Sequence, residues 1–93
     1  MTVVYGVDAP DERDNHVVRV TDAAGDVVAE DVTLDQREFT GRAFGLALPI
    51  DSVAPFKVEL FDFDREWYQS GEELPDTYVR PDSKPLATAT VNP

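Results

Sequence analysis

Strand-forming residues recur in this chain in short blocks separated by turn residues, and nowhere do apolar residues hold the i, i+3, i+4, i+7 spacing over a window long enough for a helix. A strand sends alternate side chains to opposite faces, so such blocks predict half-buried strands and an all-β fold. They fall at residues 2–7, 16–21, 27–34, 39–48, from 56 onward and at 86–91, each bounded by turn residues. Asp22-Ala23-Ala24-Gly25-Asp26 lies between the second and third blocks and predicts a short hairpin connection, with Gly25 supplying a positive φ. In the fourth block Phe44, Leu46 and Leu48 alternate with Ala43, Gly45 and Ala47, and the small residues are expected where another element packs close. Pro49 and Pro55 bracket a crossing loop.

After Pro55, Phe56, Val58 and Leu60 alternate with Lys57 and Glu59, the period of a strand with one buried face. Phe61 and Phe63 are apolar on the opposite parity, so either a bulge shifts the register or protein covers both faces. Residues 64–85 carry Pro75, Pro81, Pro85, Gly71 and many charges, and predict a loop of about twenty residues, a length usually tied to function or disorder. The core is expected at Val4, Val18, Val20, Val28, Val32, Phe44, Leu46, Phe56, Val58 and Leu60. With 93 residues the chain supports one domain over 1–93, which buries roughly 64% of the unfolded surface. About six to seven short strands at this length predict a single small antiparallel β-sandwich, or a Greek-key barrel.

Charge narrows the partners. Nineteen Asp and Glu against eight Lys and Arg leave a net charge of -11, a field that repels phosphate backbones and anionic lipid heads, so no direct nucleic-acid partner is expected. The acid is spread along the chain with no run of five like charges. That suits a solvated surface adapted to high salt or to a crowded assembly, or carboxylates that cluster in space around a cation. The absence of Cys removes disulfides, thiolate metal sites and a Cys nucleophile, and leaves the compartment open. No apolar run is long enough to span a bilayer, and Met1 is followed by neither a basic region nor an apolar segment, so a soluble chain without a membrane span or signal peptide is expected.

Catalysis has little to work with. His16 is the only histidine, and Ser52, Ser70 and Ser83 lie outside any G-x-S-x-G context. No phosphate-cradling glycine motif occurs, and His16 at the start of a strand is expected to be structural or exposed. The chain is therefore read as non-enzymatic, with no catalytic residues and no cofactor.

One cluster suggests metal chemistry. Phe61-Asp62-Phe63-Asp64-Arg65 sets two carboxylates at the end of a strand, whereas Ca²⁺ takes roughly six to eight oxygens, so further ligands must come from elsewhere. The run Phe56-Lys57-Val58-Glu59-Leu60-Phe61-Asp62-Phe63-Asp64-Arg65 resembles the strand-plus-loop signature of the calcium- and lipid-binding β-sandwich modules of synaptotagmins and protein kinase C. Val7-Asp8-Ala9-Pro10-Asp11-Glu12-Arg13-Asp14 is similar to the first loop of those modules. The resemblance implies Asp8, Asp14, Asp62 and Asp64 as calcium ligands, and a sandwich of that type stands beside an immunoglobulin-like one. The chain is shorter than those modules, Lys84-Pro85-Leu86 stands where they carry a glycine, and basic residues for lipid heads are scarce.

Trp67, Tyr68 and Tyr78 give the long loop its large aromatics. Such residues bury much area at low entropic cost and dominate interfaces, so they are read either as docking anchors or, for Trp67, as a cap on the open end of the fold. The leading functional expectation is a structural or assembly subunit that docks on a larger protein array or on itself, for example a capsid decoration or tail component of a virion or phage. The alternative is a calcium-dependent binding module.

Overall fold

A computed structural model of the chain describes residues 3–7, 15–33 and 43–92. In chain order it contains β1 (Val3–Val7), β2 (His16–Thr21), β3 (Val27–Val32), β4 (Ala43–Ala47), β5 (Phe56–Asp62), a short helix α1 (Arg65–Gln69) and β6 (Ala87–Val91). Strands β3-β2-β5-β6 form an antiparallel four-stranded sheet, and β1 pairs with β4 as an antiparallel ribbon. The all-β expectation is met in its coarse form: nearly all regular structure is strand. No helix among the described residues is long and apolar enough to cross a membrane.

The β2–β3 hairpin turns where its sequence demands. Gly25 sits at φ +91, a conformation that L side chains rarely adopt, and its amide donates to the Asp22 carbonyl at 3.0 Å. Asp22 is buried, and its carboxylate accepts from the amides of Ala24 and Asp26 at 3.1 Å each and from Val53 at 3.3 Å. The acid therefore closes the turn and ties it to the loop before β5, and these bonds offset the cost of burying it.

Alternation along β2 divides the sheet into two faces. Val18 and Val20, paired across β5 with Leu60 and Val58, pack with Phe56 and with Val4, Leu46 and Leu48 of the ribbon side. Val28, Ala29, Val58, Leu60 and, from β6, Val91 are half-buried against this cluster; opposite Leu60 and Val58, β6 supplies Ala87 and Ala89, too small to cover them fully. On the opposite face Val17 packs with Phe61 and Val79, flanked by Val32, Phe63 and Tyr78. The β2–β5 register runs unbroken from His16↔Asp62 to Thr21↔Lys57, so coverage of both faces, not a bulge in β5, explains the parity change at Phe61. The one register shift of the sheet lies between Val20 and Thr21, opposite β3.

The structure corrects several expectations. Val32 belongs to the second cluster, and Val17, Leu48, Phe61 and Val79 join the core. The side chain of Phe44 and residues 34 and 39–42 lie outside the described residues. Gly45 and Ala47 are exposed while Leu46 and Leu48 are buried, so the small residues of β4 mark the open side of the ribbon and not a packed one. The segment expected as one long loop contains α1, which a single turn of helix makes too short to show a period.

Candidate functional site

The segment after β5 folds over the second face of the sheet, and three sets of contacts hold it there. Asp64 N-caps α1, its Oδ1 accepting from the Trp67 amide at 3.0 Å, while its Oδ2 accepts from Arg80 Nη1 at 2.8 Å. Arg80 Nε also lies 2.8 Å from Asp82 Oδ1, so both ends of the excursion are clasped together. Further along, Glu30 of β3 accepts from the Tyr78 amide at 2.6 Å and the Thr77 hydroxyl at 2.7 Å through Oε1, and from Arg19 Nε at 2.9 Å through Oε2. Arg19 Nη2 donates to Thr77 Oγ1 at 3.1 Å, and the guanidinium carbon sits 5.2 Å from the Phe61 ring centroid. Arg19 and Glu30 are direct cross-strand partners, so this charged pair, next to Val17 and Phe61 on the same face, anchors the returning loop.

These clasps gather four rings at one end of the sheet. Phe63 lies 5.7 Å from Tyr68 and 6.2 Å from Tyr78 between centroids, Tyr68 and Tyr78 are 5.2 Å apart, and Trp67 extends the group at 6.5 Å from Tyr68. Trp67, Tyr68 and Tyr78 are half-buried: each presents ring surface to solvent from a position fixed by its neighbours. The Tyr68 phenol beside it, then partial burial and the carboxylates of Asp31 and Glu30, raise the Tyr78 phenol above the ordinary tyrosine value. Phe63 is the member of the cluster that sequence reading missed as a site residue; its off-parity position after β5 was the available signal.

The aspartates of the calcium pattern fare differently. Asp8 and Asp14 lie outside the described residues. Asp62 is exposed at the end of β5, with Oδ1 4.0 Å from Nε2 of the buried His16. Asp64 has one oxygen on the helix cap and the other on Arg80, so a cation there must displace an ion pair. Among the described residues no group of three or more His, Asp or Glu is arranged to hold a metal. His16 is buried inside β2, its amide donating to Thr33 Oγ1 at 3.0 Å and its carbonyl accepting from the Thr33 amide at 2.8 Å. Two shallow grooves of about 390 and 470 Å³ flank the loop, and Arg19 lines both.

The Asp64 clasp has a pH signature. The Trp67 amide first, and then Arg80, hold this carboxyl below its ordinary value. A carboxylate whose folded value is depressed contributes stability above its unfolded value near 3.8, and loses it as pH falls through the lower folded value. Asp64→Asn keeps a capping side chain but removes the ion pair. Its melting temperature is expected to lie below that of the parent at neutral pH and to converge with it under acid. A constant gap across that range would show that the charge is not what matters.

Comparison of the chain with protein-family models, with curated proteins and with solved structures finds no match in any of the three.

Proposed function

We propose that the ribbon and the four-stranded sheet form a small β-sandwich, and that this domain is a non-enzymatic structural or assembly subunit docking onto a larger protein array such as a virion. The observation that carries the reading is the aromatic cluster. Trp67, Tyr68 and Tyr78 are partly exposed, yet held by ring contacts, a capped helix turn and the Glu30 clasp. Rings already ordered before binding lose little entropy on docking, the property of interface anchors. The sharing of one cluster by Val4, Leu46 and Leu48 with Val18, Val20 and Phe56 supports the sandwich.

Trp67→Ala tests the proposal. The outermost ring of the cluster is expected to leave the melting temperature within a few degrees while abolishing co-sedimentation of the chain with the large particles of its source. Loss of several kcal/mol of stability would make Trp67 a cap on the fold instead. A parent chain that sediments free of any larger particle at native salt would overturn the assembly reading. The same melting experiment addresses calcium, the cofactor implied by the alternative set Asp8, Asp14, Asp62 and Asp64. If those residues form a calcium site, millimolar calcium raises the melting temperature and a chelator reverses it; the assembly reading expects no shift.

A further inference from the structure

Strand β6 ends the four-stranded sheet, with no neighbour on its outer side among the described residues. Ala87, Thr88, Ala89 and Thr90 are all exposed, and Leu86 before them is 55% exposed. An open edge of this kind is a template for pairing, and proteins usually guard it with charge. The opposite edge is guarded: β3 carries Glu30 and Asp31, with Asp26 just before it. By contrast, no charged residue occurs anywhere in 85–93, although charged residues make up 29% of the chain. Of the charges on β5, the two that lie beside β6 offset each other, since Lys57 Nζ lies 3.6 Å from Glu59 Oε1, and Asp62 lies beyond the last β5–β6 pair.

We propose that the β6 edge pairs with the β6 edge of a second copy of this chain, antiparallel and across a two-fold axis at Ala89, joining two sheets into one of eight strands. Two features select a second copy over another partner. The sequence Ala87-Thr88-Ala89-Thr90-Val91 is nearly self-complementary in that register: Thr88 falls opposite Thr90, Thr90 opposite Thr88, and Ala87 opposite Val91. Threonine pairs across antiparallel strands are favourable, and like residues on a shared axis satisfy the isologous contact that a two-fold dimer requires. The second feature is charge. Two molecules of net charge -11 repel each other least where they meet through a surface without local charge, and β6 with its offset Lys57–Glu59 neighbours offers one. The residual repulsion makes the dimer tighter as salt rises. The pairing is independent of whether the aromatic loop docks anything.

Single cysteines in a chain that has none provide the test. In the proposed register the two Ala89 Cα atoms lie about 4.5–5.5 Å apart, within disulfide reach. Ala89→Cys is therefore expected to form a disulfide dimer under mild oxidation at micromolar concentration, at least about tenfold faster than Ala24→Cys at the exposed hairpin turn, as a paired site exceeds a merely collisional one. In sedimentation equilibrium the parent chain should move from one to two copies with rising concentration, and more readily at high salt. Thr88→Asp combined with Thr90→Asp places carboxylates opposite one another and should weaken that association by at least about tenfold, with dilute-solution melting little changed. Equal cross-linking of the two cysteine variants overturns the proposal. So does a parent chain that stays monomeric at all concentrations, including one whose β6 edge captures a different protein. Should the aspartate variant fail to fold, the cysteine pair decides by itself.

Discussion

Phe56→Ala is expected to destabilise the domain by about 3–5 kcal/mol, out of a total of roughly 5–15 kcal/mol for a protein of this kind. Phe56 is 2% exposed and belongs to the cluster where sheet and ribbon meet. Removing the ring loses its transfer free energy and leaves a cavity, because neighbours on paired strands cannot move inward without breaking ladder bonds. For a domain of this length the melting temperature should fall by more than about 12 °C. Ile50→Ala, at a side chain 94% exposed, should change stability by less than about 0.5 kcal/mol. Denaturant unfolding of both variants checks the contrast. Similar midpoints for the two would mean that the sheet and ribbon do not share a core.

Glu30→Ala carries the second large effect, expected at about 2–3 kcal/mol. Removing one partner of a buried ion pair costs roughly 3–5 kcal/mol, and the partial exposure of this pair, 23% for Arg19 and 13% for Glu30, lowers the figure. Three donors lose their acceptor at once: the Tyr78 amide, the Thr77 hydroxyl and Arg19 Nε. The loss is also expected to be local. Hydrogen exchange at the Tyr78 amide should accelerate far more than at the amides of Val18 and Val20 in the centre of the sheet. A double-mutant cycle with Arg19→Met should show coupling between the two side chains, since both act on Thr77. Strictly additive effects, with exchange unchanged at Tyr78, would show that the loop rests on its apolar contacts alone.

Local signals carried much of the strand plan. The period of two in 56–60, the turn residues 22–26 and the requirement for glycine at position 25 are short-range properties, and β2, β3 and β5 lie where they point. The aromatic wealth of 64–85 was also legible, because composition needs no partner to be counted. What composition lacks is placement. Tyr68 and Tyr78 are ten positions apart in a segment with no period, and their rings meet at 5.2 Å because distant groups hold the chain back on itself.

Val17, Phe61 and Val79 show the same division. The alternation around Phe61 indicated that a second face needed explaining, yet it left a bulge and a covered face as equals. Choosing between them takes the register of β5 against β2 and the return of Val79, neither of which is a property of neighbouring residues. The polar clasp is more remote still: Glu30 bonds to Tyr78 across 48 positions, and nothing in the residues around either one announces the other. The sequence alone thus determined which segments are strands, where the hairpin turns and that the surface is acidic, since dihedral preference, side-chain alternation and charge act within a few residues. Only the tertiary structure decided which face the long loop covers and which of its rings come together, because those depend on contacts whose free energy exists only once remote parts of the chain are adjacent.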